Sequence, residues 1–426
     1  MKKLWIFFLV GASFQTICGY APNNFFEPYD PNWRLAVAPD TKFRLGVNAE
    51  FGHTHVGRNH GKNKVNVLQI YDPTQSTIAM VMMPTPSIKD ILPIKLPELT
   101  SAAGAPTDDG FRGRICMKGR FELIDFTFYG TYLLPQHVVP GDLTLSAYLP
   151  VRRAKTSDVI FKDLTRKNTE ADLDISAFLA GFQNFKKSLR EVADLDLNEV
   201  TETGLGDLVF VLDWQGDYRQ NKEYLKNVTM FAMLGLSLPT GKKKDEDRAF
   251  STALGNDGAV GMPIGLGMEL DFVHNITAGI DVEFLILFDE SRVRRLKTDR
   301  RQTEFLLLNR GRSTLDHGLT WKFNLFLEGL HIVRGFSAKV AYEYVKHDDD
   351  RLTAKSDCFN HSVINSAASL EEWNMHHFIF KLNYDFFAEC KNKRVVPQLG
   401  LFYKLPVTGK GIINPATFGG QLAFNF

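Results

Sequence analysis

From residue 43 onward the chain alternates apolar and polar positions in segments close to the ~9–11 residues of a tilted membrane-spanning strand. Phe43, Leu45, Val47, Ala49 and Phe51 share one parity, and Arg44, Gly46, Asn48 and Glu50 the other. Successive side chains of a strand point to opposite faces, so each such segment has one apolar and one polar side. The pattern recurs at 124–134, 143–149, 208–214 and 228–238, then at 262–272, 276–288, 319–328, 336–344, 378–386 and 395–404. A last segment sets Phe418, Gly420, Leu422, Phe424 and Phe426 against Thr417, Gly419, Gln421, Ala423 and Asn425.

The connections sort by length. Short ones lie near 135–141, 216–223, 274–275, 331–334 and 389–393, and long ones at 52–119, 151–204, 240–261, 289–316, 346–373 and 405–415. Short turns on one side and long loops on the other are the rule of outer-membrane barrels, and an even strand count closes the sheet without an exposed edge. The expected fold is therefore all-β, a transmembrane antiparallel up-and-down β-barrel of about 12 strands over 43–426. The runs 65–71 and 77–83, around Asp72-Pro73, would raise the count to 14 if they paired as a hairpin; they read as loop structure or a partial plug.

Composition adds constraints. Thirty-four phenylalanines suit a broad apolar belt, and a mean hydropathy of −0.15 is what alternating faces average to. A net charge of +1 argues against nucleic acid as a partner. Lys2 and Lys3 ahead of the apolar run 4–14 predict a secretory signal peptide over 1–19, leaving 20–42 as a periplasmic N-terminal segment. Cys116, Cys358 and Cys390 remain after cleavage, so one disulfide is permitted and one thiol is left over. The expected location is the outer membrane of a Gram-negative-type bacterium, with its lipid and lipopolysaccharide as partners.

The closing segment, apolar on one face and ending on an aromatic residue, resembles the last strand of bacterial outer-membrane β-barrels. That resemblance implies that Phe418, Leu422, Phe424 and Phe426 are read by the barrel assembly machinery. Gly204-Leu-Gly-Asp207 opening a strand, followed by Leu234-Gly-Leu-Ser-Leu-Pro-Thr-Gly241, resembles the outer-membrane channel family of phenol meta-pathway degradation. Membership would imply passive uptake of small solutes, including hydrophobic or aromatic ones.

The inward parity is rich in charge: Glu50, Asp125, Asp207, Asp213, Glu269, Asp271, Asp281, Glu283, Glu328, Glu343 and Asp385 against Lys322, Lys339 and Lys381, with Arg44 and Lys404. Charges at bilayer depth face protein or water, so these are the expected lumen lining. They read equally as a salt-bridge network filling a narrow barrel or as a cation-favouring pore wall. In 151–204, Phe178, Phe182, Phe185, Leu189 and Val192 recur at helical spacing, with Asp174 or Ser176 as the cap. Arg292, Arg294, Arg295, Lys297, Arg300 and Arg301, joined by Lys242, Lys243 and Lys244, form a basic cluster suited to solvent or to lipopolysaccharide.

His53, His55 and His60 read as solvated loop residues before metal ligands, and adjacent His361 and Ser362 would point apart on a strand, with no acid to orient them. No catalytic, cofactor or metal residue is expected, and the chain does not read as an enzyme. Two function classes follow: a channel for passive diffusion of small solutes, or a non-conducting barrel with a structural or surface-interaction role. Occupancy of the lumen by 20–42 or by the first long loop separates them.

Overall fold

The alternating segments become one closed wall. The computed structural model describes residues 28–29, 32, 41–81, 110–135, 140–386, 395–413 and 415–426. The expected signal peptide and Cys390 lie outside these residues. Twelve antiparallel strands form the ring: β1 Phe43–Thr54, β2 Arg114–Leu133, β3 Asp142–Asp163, β4 Leu208–Arg219, β5 Leu225–Leu238 and β6 Gly261–Phe272. The ring continues with β7 Ile276–Leu287, β8 Thr320–Val333, β9 Phe336–His347, β10 Trp373–Asp385, β11 Val396–Lys410 and β12 Ala416–Asn425. Each strand pairs with its neighbours in sequence, and β1 closes on β12 in register from Arg44 opposite Asn425 to His53 opposite Ala416. The count is twelve. Gln75–Ser76 and Val200–Leu205 extend the same sheet at β2 and β3 without entering the ring, and 64–81 forms short strand and 3-10 turns in place of a spanning hairpin.

The parity holds around the wall. Leu325, Leu401 and Phe418 stand on the outside, 51, 66 and 61% exposed, while Asn324, Phe402 and Thr417 beside them are buried inside. No water in the bilayer core can satisfy a free backbone group, so closure by hydrogen bonds is what permits these strands to span. Four inward aromatics lie over glycines directly opposite on the next strand: Tyr129 over Gly46, Phe231 over Gly267, Phe326 over Gly279 and Phe402 over Gly419. A β-carbon at any of these glycines would overlap the ring. The small residue is required there by close approach, and the ring covers backbone that glycine leaves bare.

β2 and β3 are longer than their alternating cores suggested, at 20 and 22 residues. Their surplus rises on the long-loop side, where the inner face turns apolar at Ile115, Met117, Phe121 and Leu123. These residues pack with Leu68, Ile70 and Met80 of the first loop, with Phe185 and Leu189, and with Leu254, Leu306 and Leu308. Burying each such side chain stabilises by about 1.5–3 kcal/mol, so the long loops form a folded cap with its own core.

The helix expected in 151–204 is present as two. α1 Glu170–Ala180 starts at Thr169, whose side chain accepts from Asp172 N while Asp172 accepts from Thr169 N. That capping box precedes Asp174 and Ser176, which lie inside the helix and do not cap it. Gly181 separates α1 from α2 Phe182–Ala193; Phe185 and Leu189 are buried, but Val192 faces outward.

The basic cluster is knit into the cap. Arg292 pairs with Asp257, Glu246 and Glu290, Arg294 with Glu290, Arg301 with Asp299, Lys242 with Glu202 and Lys243 with Glu290. Arg295 donates to the carbonyls of Glu246, Leu307 and Ala193, which ties three loops together. Cys116 and Cys358 are free thiols, and Cys116 Sγ accepts from Gln69 Nε2 at 3.1 Å.

Candidate functional site

Strand parity delivers polar side chains to the lumen, and their height along the strands divides them into two levels. At the short-turn end lies a vestibule of about 490 Å³. Asp142, Asp213, Asp217, Glu269, Asp271 and Glu328 line it, against Lys42, Arg44 and Lys339, an acidic excess of three. Two of its carboxylates accept from neutral donors: Thr229 donates to Asp217 at 2.6 Å, and Thr277 to Asp271 at 2.7 Å. Tyr129, Tyr148, Trp214 and Phe231 supply aromatic wall. Lys339 Nζ sits 3.6 Å from the centre of the Phe326 ring, a cation–π contact.

Above the vestibule the lumen is packed. Glu50, Asp125, Asp281, Glu283 and Glu343 meet Arg152, Lys322, Lys381 and Lys404, all at most 7% exposed. Arg152 Nε contacts Asp125 Oδ2 at 2.6 Å, Lys322 Nζ contacts Glu283 Oε2 at 2.8 Å, and His377 Nδ1 contacts Glu343 Oε1 at 3.2 Å. Thr417 donates to Glu50. Asn324 Nδ2 donates to Asp281 Oδ2 at 2.9 Å. The near balance of opposite charges is what low dielectric demands, since an unpaired buried charge costs several kcal/mol.

Two residues ahead of β1 cross this girdle. Tyr29 packs on Val209, Val211 and Met233 of β4 and β5, with Tyr148 of β3. Asn32 contacts Asn324, Glu343 and Lys381 of β8, β9 and β10, on the opposite side of the ring. Tyr29 and Asn32 therefore touch the lumen wall at two separate sectors of the ring.

The two glycine-bearing motifs of the sequence meet at the upper rim. Thr240 Oγ1 donates to Gly206 O at 3.0 Å, and Leu208 N donates to Thr240 Oγ1 at 2.9 Å. Asp207 accepts from Gly241 N at 2.9 Å and from Asn256 N at 2.5 Å. A β-carbon on Gly241 or Gly255 would press on this carboxylate. Leu254, carried by the same loop, accepts from Arg152 Nη1 at 3.0 Å. This clasp folds 240–256 onto the barrel mouth and joins it to the girdle.

No family profile matches the chain, and no curated protein matches it in sequence. In fold it is similar to the crystal structure of an outer membrane channel from Pseudomonas putida F1, with a TM-score of 0.52 at 11% identity over 93% of this chain and 99% of that one. The chain is a closed, twelve-stranded antiparallel β-barrel. The transport unit of the autotransporter AIDA-I from Escherichia coli (TM-score 0.35, 7% identity, 93% and 94% covered) is more distant. So is the Pseudomonas putida toluene transporter TodX (TM-score 0.30, 9% identity, 91% and 90% covered). Likenesses of that size carry no argument.

Within the barrel, the residues expected on the lumen wall separate by place. Glu50, Asp125, Asp281, Glu283, Lys322, Glu343 and Lys381 fall in the girdle, and Asp213, Glu269, Asp271, Glu328 and Lys339 in the vestibule. Asp207 serves the clasp, and Asp385 stands at the short-turn rim, 3.9 Å from His331 Nε2. Asn324, on the same inward face, is 0% exposed and donates to Asp281 and Asn32. Sequence reading missed Arg152, His377 and Asn32. His377 shares the parity of Lys381 and was within reach, and Arg152 lay in a stretch assigned to loop. Asn32 carried no periodic signal.

In the cap, His55 faces the carbonyl of Gly119 and His60 faces Glu371, so these histidines do not converge. His361 and Ser362 open the short helix α3 His361–Ile364.

Proposed function

We propose that the barrel is a gated outer-membrane channel for small solutes, held closed at mid-barrel by the segment that carries Asn32. The observation that carries this reading is the pair of contacts itself. Tyr29, packed on β3 to β5, and Asn32, bonded to β8 to β10, come from chain ahead of the barrel and can be displaced, unlike a side-chain plug grown from the wall. The vestibule below it is wide enough for a small solute, and its acidic excess favours cations approaching from the short-turn side. The apolar strip of Val209, Val211 and Met233 offers footing for a hydrophobic group once Tyr29 leaves.

The paired charges of the girdle favour a second reading, a barrel whose lumen is a structural network with no conducting state. Swelling of liposomes that contain the refolded protein separates the two. Asn32→Ala, which removes the side-chain bonds to Asn324 and Glu343, should raise the swelling rate in a small neutral solute several-fold over the native chain. Equal, negligible swelling of both proteins would favour the structural reading.

Outside the lumen, we read Phe418, Leu422, Phe424 and Phe426 as the face met by the assembly machinery, since all four lie on the outward parity of the last strand. The basic cluster is read as loop cohesion ahead of lipopolysaccharide binding, because acids and carbonyls of neighbouring loops engage most of it.

A further inference from the structure

The barrel treats Asn32 as a ligand. Lys381 Nζ donates to its backbone carbonyl at 3.1 Å, Asn324 Nδ2 donates to its side-chain oxygen at 3.0 Å, and its side-chain nitrogen faces Glu343 Oε2 at 3.5 Å. The three wall residues are at most 2% exposed, as in a built binding site. Two of them are also held by neighbours other than Asn32: Asp281 accepts from the Asn324 amide at 2.9 Å, and His377 contacts Glu343 at 3.2 Å. Asn324 Oδ1, buried beside the seat, has no hydrogen-bond partner among the described residues. An acceptor so placed offers a site for one more donor.

The wall defines what fits. It presents two donors, Lys381 and the Asn324 amide, and two acceptors, Glu343 and Asn324 Oδ1. A carboxylate in the place of the Asn32 amide would satisfy the donors but set negative charge against Glu343 and Asp281. An ammonium would satisfy Glu343 but meet Lys381 and Lys322. An apolar group would cost Lys381, the Asn324 amide and Glu343 the bonds they make to Asn32 at a desolvated seat. A primary carboxamide carries donor and acceptor on one planar group and no net charge.

We propose that this seat is a solute-recognition subsite, selective for small neutral molecules that bear a primary amide near a second carbonyl, and that Asn32 is its built-in competitor. Its place in transport rests on the channel reading, but its binding preference does not. A solute of this class takes the place of Asn32 by making the same bonds.

The test is calorimetric titration of refolded protein in detergent with N-acetyl-asparagine amide, which reproduces the side chain and carbonyl of Asn32. Its aspartate analogue, with a carboxylate in place of the side-chain amide, is the control. The amide probe should bind Asn32→Ala at least tenfold more tightly than the native chain, and at least tenfold more tightly than the aspartate analogue binds that variant. Adding Lys381→Met should abolish the binding. Should that double variant fail the heat-modifiability check for folding, Asn32→Ala/Glu343→Gln serves instead and should narrow the preference between the two probes. No binding heat, equal affinity for both probes, or equal affinity in native chain and Asn32→Ala would each overturn the proposal. Amide-selective binding without any increase in swelling would defeat the channel reading and leave the subsite standing. Increased swelling without amide preference would do the reverse.

Discussion

The girdle and the vestibule are built from the same strands and the same parity, yet one is packed and the other open. In the girdle every acid sits close to a cation or a neutral donor, as Glu283 does with Lys322 and Glu50 with Thr417. In the vestibule acids outnumber cations by three, and Asp217 and Asp271 are steadied by threonines and an asparagine. The difference shows that an inward charge on a barrel strand has no fixed role. What decides is the height at which chain from elsewhere fills the lumen. Asn32 and the clasped loop 240–256 add backbone carbonyls to the packed girdle, whereas the vestibule, lined by Pro28 and by Tyr148 beside Tyr29, stays open.

The largest effect that breaks this contrast should come from the girdle. Lys322→Met leaves Glu283 without the cation at 2.8 Å, and removing one partner of a buried pair costs about 3–5 kcal/mol. Lys322→Met/Glu283→Leu should recover most of that loss in urea-unfolding titrations. The lipid face comes next. Leu325→Arg puts a charge on a residue that is 51% exposed on the outer wall, at a cost of about 2–4 kcal/mol near the midplane. In the vestibule, Asn227→Lys joins Asp217 and Asp271 and should change stability by less than about 0.5 kcal/mol. Equal losses for Lys322→Met and Asn227→Lys would erase the distinction between the two levels.

The aromatic-over-glycine pairs set the wall itself. Gly267→Val drives branched carbon into the Phe231 ring, and overpacking of this kind costs about 1–3 kcal/mol. Heat-modifiability on gels, read against time of folding, should show slower assembly for that variant and near-native behaviour for the outward Leu266→Val.

How much of this was legible follows from where periodicity operates. Strand parity is a local property, so the twelve strands, the sorted loops and the inward set from Glu50 to Lys381 could be read directly. Two kinds of feature escaped. One is where strands end: β2 and β3 keep their alternation above the membrane, but apolar residues then face inward at Phe121 and Leu123, which breaks the polar-in pattern. The other is contact between distant segments. Nothing in the sequence near Asn32 announces Lys381, 349 residues away, and Asp207 looked like lining because its partners, Gly241 and Asn256, belong to another loop. The helical spacing of Phe178 to Leu189 was visible, whereas the break at Gly181 and the cap at Thr169 depend on where the preceding strand stops.

The smallest effect concerns the cap. Burial pushes the Asp72 carboxyl up to about 6 from 3.8, partly offset by the bond it accepts from Glu304 N. An acid whose folded value is raised binds its proton more tightly when folded, so its contribution to stability is greatest below 3.8 and falls as pH rises to about 6. Limited proteolysis of the cap should therefore quicken between pH 4 and 6 in the native chain, and Asp72→Asn should flatten that trend.

The central claim, that the lumen is closed at one displaceable seat above an acidic vestibule, is tested most directly by planar-bilayer recordings under a salt gradient. The native chain should show rare openings, and Asn32→Ala should show sustained current with a cation-selective reversal potential. That potential should shrink when Asp217 and Asp271 are replaced by Asn. An Asn32→Ala barrel that is correctly folded and as silent as the native chain would contradict the account, as would current from both proteins that is equal in size and without cation preference.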